Sequence, residues 1–310
     1  MSKPPTSRPV TVTTLRRTAS QLARSTARTV GIVSDRLRPP PYGVVFLIYH
    51  QVGAPQPGVV NLPMGLFEQQ MEELAASDRV VSIDDALALL TAPTPPDVTP
   101  TEGTPPASGA DARQPCPVVL TFDDGTADFV DHAVPVLQRL GLPAVLYVAT
   151  RWVDEGRSFW GDDTVLSWSG LAEAQASGVV TVGSHTHGHV HADATPVQEF
   201  IDDLDRSIDL IGSNLGTTPH HFAYPKALLP RPEVDAAVRS RFASAAIGGC
   251  RPNVPGETDP YALYRSPLQV GDAMAGFRRK ANGGMHAEER IRSLAGSVRA
   301  RVAGGSPLGH

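Results

Sequence analysis

The chain has 310 residues, 41% of them apolar and 19% charged, with a formal net charge of −5. That is enough apolar material for one large α/β domain with extensions, and it excludes a peptide scaffold. Two cysteines, Cys116 and Cys250, are too few for a disulfide framework and badly spaced for a Cys-based metal site, so both are read as ordinary thiols.

The net charge hides an asymmetry. Residues 1–43 hold Lys3, Arg8, Arg16, Arg17, Arg24, Arg28, Arg36 and Arg38 against Asp35, a surplus of seven that leaves the remainder at −12. Because the basic residues cluster in an arm while the body is acidic, no nucleic-acid partner is expected. From Thr11 to Leu37 a weak helical pattern runs through Leu15, Leu22, Val30 and Val33 and is closed by Pro39, Pro40 and Pro41. It reads either as a solvated tail or as a basic helix resting on anionic lipid or a partner. No run approaches the roughly 18 apolar residues that cross a bilayer, and the N-terminus lacks the apolar core of about 7–15 residues found in a secretory signal. The expectation is a cytoplasmic protein, with the basic segment as its point of peripheral contact with the inner face of the membrane.

Gly43–His50 is the first strand signal, an apolar run ending in histidine. Phe67–Ala76 reads as a helix with Phe67, Met71 and Leu74 on one side, and Ser82–Leu90 as a short helix with a Ser-x-x-Asp cap. Residues 91–117 carry eight prolines and no periodicity, the pattern of an extended surface insertion within a domain. Directly after it, Val118-Val-Leu-Thr-Phe122 reads as a fully buried strand that stops at Asp123, Asp124 and Gly125. Phe129, Ala133, Leu137 and Leu140 mark a helical face with an irregularity at Pro135, and Ala144–Ala149 is the next strand, completing a βαβ unit. Ser169–Ser177 is a helix. Val179–Val182 is a strand leading into Gly183-Ser-His-Thr-His-Gly-His-Val-His191. The clearest amphipathic helix carries Val197, Ile201, Leu204, Ile208, Ile211 and Leu215 behind Thr195-Pro196. A short strand into Tyr224, a helix over Pro232–Arg241 and a strand over Ala243–Ile247 follow, then a basic helical candidate over His286–Arg301.

Two adjacent carboxylates at a strand end repel unless a cation or a shared proton offsets them. His185 and His189 are four apart, the spacing that brings two imidazoles to one side of a turn. One Asp oxygen and two His nitrogens form a three-ligand site with a position left for water, as in catalytic rather than structural zinc. His187 and His191 remain open as alternatives at this stage, since alternating histidines also make pH-sensitive or adventitious metal-binding surfaces.

Thr121-Phe-Asp-Asp-Gly125 followed by His185-Thr-x-x-His189 resembles the polysaccharide deacetylase family, also called the NodB-homology or carbohydrate esterase 4 group. The resemblance implies an α/β fold of the incomplete, distorted (β/α) barrel type. It also implies Asp124, His185 and His189 as metal ligands and Asp123 as the base that activates water. The usual C-terminal Leu-x-His motif is not found at the end of any strand signal after Asp124, the literal match Leu308-Gly-His310 standing in no apolar run. Ile48-Tyr-His50 at the front instead resembles the circularly permuted branch that deacetylates poly-N-acetylglucosamine, which makes His50 the proton donor. Phe222-Ala-Tyr-Pro225 is similar to the family's third motif, and by that likeness the Tyr224 backbone N–H helps to bind the oxyanion. The motif's usual Arg is Ala223 here; Lys226 and Arg265 are candidates to replace it, neither preferred. Trp152, Phe159, Trp160 and Trp168 suit either a sugar face or lid packing and are not assigned to the site.

The expectation is therefore a basic segment at 1–42, a deacetylase-like catalytic domain at 43–277 with the Pro-rich insertion at 91–117, and a helical tail at 278–310. The implied reaction removes the N-acetyl group of an amino sugar or glycan with a divalent metal, zinc first among transition metals. The alternatives are a non-sugar amidohydrolase on the same fold and a catalytically silent glycan-binding module.

Overall fold

The computed structural model describes residues 39–92, 115–161 and 165–287, together with residues 31, 34, 35 and 37. Nearly all of the basic N-terminal segment with its assigned membrane contact, most of the Pro-rich insertion and most of the C-terminal helical candidate lie outside the described residues. The chain divides into two compact units, Met1–Pro39 with Met285–His310, and Pro40–Gly284. In the first, the Met285 N–H donates to the Asp35 carboxylate, 3.2 Å from Oδ2.

The second unit begins with β1 (Val45–Tyr49), a short parallel pair β2 (Gln51–Val52) and β3 (Asn61–Leu62), and helices α1 (Met64–Ala76) and α2 (Ile83–Thr91). Then come β4 (Val118–Phe122), a π-helical turn Phe129–Ala133 running into α3 (Val134–Leu140), and β5 (Ala144–Val148). After α4 (Thr150–Asp154), α5 (Trp168–Ala176) and β6 (Val180–Ser184) follow α6 (Val197–Leu215), β7 (His221–Ala223) and α7 (Pro232–Arg239). The unit ends with β8 (Ser244–Gly248), β9 (Leu263–Pro267) and α8 (Ala273–Ala281).

Seven strands form a closed parallel barrel in the order β1, β4, β5, β6, β7, β8, β9. The predicted (β/α) barrel is thus found, one strand short of eight but with its ring shut by β1, which pairs with β4 on one side and β9 on the other. Strands β1, β4 and β5 are buried at every residue, as their unbroken apolar runs require when both faces are covered. Inside the ring, Phe46, Val119, Val145, Tyr147, Ala223, Ala246 and Leu263 pack together, and Ile83, Ala86 and Leu90 of α2 join them. Each large apolar side chain so buried contributes about 1.5–3 kcal/mol. The Ser-x-x-Asp cap is present, the Asp85 N–H donating to Ser82 Oγ at 3.1 Å. The irregularity expected at Pro135 is the wide turn before it, where the Val134 N–H donates to the Phe129 carbonyl.

The sequence reading did not anticipate β9 and α8. Leu263-Tyr-Arg-Ser-Pro267 has neither an apolar run nor a clean alternation, and it qualifies as a strand only because β1 and β8 flank it. Helix α8 spans the 277/278 boundary, with Phe277 and Ala281 in the barrel's outer core. Among the described residues no helix is long and apolar enough to cross a membrane.

Candidate active site

The site lies at the carboxyl ends of the strands. Register places β1 beside β4 with Tyr49 opposite Phe122, and the Asp123 N–H donates to the Tyr49 carbonyl at 3.0 Å, so the next residue of β1, His50, is brought alongside Asp123. Past Asp123 the chain turns sharply: Asp124 has φ of 73° and Gly125 φ of 86°. Only glycine fits at 125, since a Cβ there would stand 2.7 Å from Val148 Cγ2.

Asp123 is held by Arg265. The guanidinium donates from Nη1 to Oδ1 at 2.6 Å and from Nη2 to Oδ2 at 2.9 Å, and Nη1 also reaches Thr121 Oγ1 at 3.1 Å. Arg265 is fully buried and lies 5.1 Å from the Tyr147 ring centroid. Burial by itself pushes the Asp123 carboxyl up, but Arg265 beside it, with His185 adding to the effect, brings it down to about 2. Of the two candidates for the arginine missing at position 223, Arg265 from β9 is the one that contacts Asp123, and Ala223 is packed inside the barrel. Lys226 is exposed on the turn after β7 and makes no ion pair among the described residues.

Asp124, His185 and His189 come together, with one ligand atom from each lying within 4.8 Å of the others. His185 Nε2 is 3.7 Å and His189 Nε2 3.5 Å from Asp124 Oδ1. A tetrahedral ion with bonds of about 2.0–2.1 Å spaces its ligands about 3.3 Å apart, close to these separations. The hydrogen bonding points the same way. His185 Nδ1 lies 2.7 Å from the Ala223 carbonyl and must donate to it, so in the neutral ring Nε2 is an acceptor. Burial pushes His185 down to about 4 and, with the cost of charging a second ring beside it, His189 down to about 2, so both rings are neutral at pH 7. Acceptor nitrogen then faces a carboxylate, and burial with the adjacent Asp123 charge raises Asp124 well above the ordinary carboxylate range unless a cation sits between them. These residues fit a divalent metal.

His187 is turned away, its Nδ1 3.0 Å from Thr150 Oγ1, and His191 is not part of the ligand cluster. His50 Nδ1 is buried with no hydrogen-bond partner among the described residues, and its ring stands edge-on to Trp160 at 6.5 Å. Burial lowers the His50 pKa while Asp123 draws it back up. Trp160 is half exposed, within hydrogen-bonding reach of Asp124, and Phe159 meets the His189 ring edge at 5.0 Å. Of the four aromatics left unassigned, Phe159 and Trp160 therefore border the site, Trp152 backs Phe159 at 4.6 Å, and Trp168 packs on the core.

Tyr224 needs a correction. Its backbone N–H is spent on the Ala246 carbonyl at 3.0 Å, and its side chain is buried against Phe222, so it offers no donor to an oxyanion. Pro225 has no N–H, and the Ala227 N–H bonds back to Tyr224. Among the described residues the Lys226 N–H makes no hydrogen bond, and Lys226 and Ala227 both hold left-handed backbone, φ 61° and 56°.

A family model described as "Polysaccharide deacetylase" matches residues 111–241, which include Asp123, Asp124, His185 and His189 but neither His50 nor Arg265. The Escherichia coli (strain K12) protein named poly-beta-1,6-N-acetyl-D-glucosamine N-deacetylase is 36% identical over 89 residues, 25% of this chain and only 13% of that protein's own length. Among solved structures, IcaB from Ammonifex degensii superposes with a TM-score of 0.61 at 25% identity, covering 78% of this chain and 98% of that one. A Streptococcus pyogenes deacetylase, PplD, superposes at 0.60 with 18% identity, covering 78% and 99%, a likeness of fold alone.

Proposed function

We propose, for a chain whose residues 111–241 match the polysaccharide deacetylase family model, that it hydrolyses the N-acetyl group of an amino sugar or glycan and releases acetate. The observation that carries this reading is the placing of two units side by side on one barrel face: the Asp124–His185–His189 cradle and the Asp123–Arg265 ion pair. A divalent cation in that cradle, zinc in the first instance, supplies Lewis-acid polarisation of the acetamide and a lowered pKa for water.

The chain's own groups do the rest. Asp123, kept ionised and oriented by the two-pronged bond to Arg265, accepts the proton of the attacking water. A carboxylate held at about 2 is a weak base, so its contribution is position more than basicity. His50, alongside Asp123 across the β1–β4 register, gives a proton to the departing amine. The Lys226 N–H takes over the oxyanion-binding role first assigned to Tyr224. A silent glycan-binding module drew its support from the missing arginine, and Arg265 removes that support.

The test is acetate release from N-acetylglucosamine oligomers and from simple aliphatic amides by zinc-loaded and chelator-treated protein. Zinc-dependent release from the oligomers is the expected result. Release only from the simple amides would transfer the chain to the non-sugar amidohydrolases, and release from neither would sink the activity.

A further inference from the structure

The two histidine ligands are joined by a loop that the backbone does not favour. Thr186 and His189 both have left-handed φ, 65° and 53°, a conformation costing side-chain-bearing residues about 1–3 kcal/mol each and kept only where surroundings impose it. Some of that imposition comes from the neighbouring strand end: the Thr150 and Arg151 N–H groups donate to the Thr186 and His187 carbonyls at 3.3 and 3.0 Å. The loop also holds itself, the Thr186 N–H donating to Ser184 Oγ and the Val190 N–H to Thr186 Oγ1, both at 3.2 Å, and Asp203 on α6 grips its middle. Its Oδ1 accepts the His187 N–H at 2.8 Å and the Gly188 N–H at 3.0 Å, and its Oδ2 accepts the Gly188 N–H at 2.9 Å.

Asp203 has little else to do. Among the described residues it makes no ion pair, so its charge is met by the two loop amides. Helix α6 is itself fixed, through buried Phe200, Leu204 and Ile211, and a buried Ser207–Ser184 hydroxyl bond at 2.8 Å ties it to the residue preceding His185. The carboxylate seats on Gly188 so closely that a Cβ there would stand 2.9 Å from Oδ2. One rigid helix thus grips the loop before its first ligand and again midway to the second.

We propose that Asp203 is a positioning residue for the metal: it holds the His185–His189 loop in its strained, ligand-ready shape before the ion arrives. The inference rests on the metal-site reading above. Without Asp203 the loop relaxes toward ordinary backbone, and binding the ion then has to restore the strain and the order together. Groups outside the ligand set that fix ligand geometry are typically worth about 10–100-fold in metal affinity.

The experiment is zinc affinity by competition with a chromophoric chelator, with the thermal midpoint of the metal-free protein read on the same samples, for wild type, Asp203→Ala, Asp203→Asn and Gly188→Ala. Asp203→Ala is expected to raise the zinc Kd about 10–100-fold. Asp203→Asn, which keeps one neutral acceptor, should raise it less, and Gly188→Ala should move it in the same direction with Asp203 still present. A folded Asp203→Ala protein with a lowered midpoint but a zinc Kd within about twofold of wild type would reduce Asp203 to a structural residue and overturn the proposal. Should Asp203→Ala not fold, an unchanged Kd in both other variants overturns it equally. If wild type itself takes up no zinc, the metal-site reading fails first and the positioning role falls with it, an outcome distinct from equal binding by all four proteins.

Discussion

The two ends of the barrel each carry a buried histidine at the tip of a strand, and they use it in opposite ways. At the amino end His221 opens β7 with both ring nitrogens engaged, Nδ1 3.0 Å from Ser244 Oγ and Nε2 3.3 Å from Asp84 Oδ1. Neutral imidazole satisfies both: one nitrogen donates to the carboxylate while the other accepts from the hydroxyl. At the carboxyl end His185 follows β6 with Nδ1 donating to the Ala223 carbonyl and Nε2, an acceptor in the neutral ring, 3.7 Å from Asp124 Oδ1, so the two meet only if Asp124 holds a proton or a cation lies between them. Left-handed backbone gathers at the site, at Asp124, Thr186, His189, Lys226 and Ala227, all past the carboxyl ends of strands, although Asp78, Ala273 and Met285 share it elsewhere. The fold closes one end with a satisfied pair and gathers at the other a set of side chains that fits a divalent cation.

Removing one of the proposed metal-binding side chains should alter the carboxyl end most. His185→Ala or Asp124→Ala should abolish stoichiometric zinc by elemental analysis and, since the metal supplies several kcal/mol, lower acetate release by about a thousandfold or more. His50→Gln should leave zinc content unchanged and lower kcat by about 100- to 10,000-fold, the usual range for a proton donor. Loss of zinc in that variant would make His50 structural instead.

Arg265→Met probes the ion pair. Removing one partner of a buried pair costs about 3–5 kcal/mol, to be read from chemical denaturation near neutral pH. In wild type the depressed Asp123 carboxyl contributes stability that is complete above the unfolded value of 3.8 and is lost as pH falls through about 2. Without Arg265, burial dominates and the Asp123 pKa rises, so this contribution disappears and the acid limb of kcat/KM moves to higher pH. An acid limb that does not move would detach Asp123 from the base role.

How far the site could be read from residues alone depended on whether each part was local. The Asp123-Asp124 pair after an apolar run and the His185–His189 spacing are contiguous signals, and the structure brings all four together. His50 was reachable because β1 is an unbroken apolar strand with histidine at its end. Arg265 was not, because β9 is five residues with a buried Arg and a Pro, and its strand character comes from neighbours distant in sequence. Choosing between Arg265 and Lys226 required knowing that β9 lies next to β1, which no local pattern encodes. Tyr224 failed for the opposite reason: its motif is recognisable, but which N–H stays free depends on the β7–β8 ladder, which consumes that of Tyr224. Asp203 looked like one of many acids on an amphipathic helix, and only the turn of the loop onto it gives it a role.

The smallest effect belongs to the quiet end. Asp84 is largely exposed and sits in the first turn of α2, so Asp84→Asn keeps an oxygen that can accept from His221 and removes only a well-solvated charge. A hydrogen bond from a neutral ring to a solvated acceptor is worth about 0.5–1.5 kcal/mol and the amide keeps it, so the thermal midpoint should shift by a few degrees at most. Burial holds the His221 pKa down while Asp84 pulls it up, so the substitution should lower it further and leave the ring neutral across the working range. Zinc affinity and acetate release should match wild type. If either changed, the coupling would have to run through the packed interior between α2 and Ala223, whose carbonyl receives His185, and the two ends would no longer be independent.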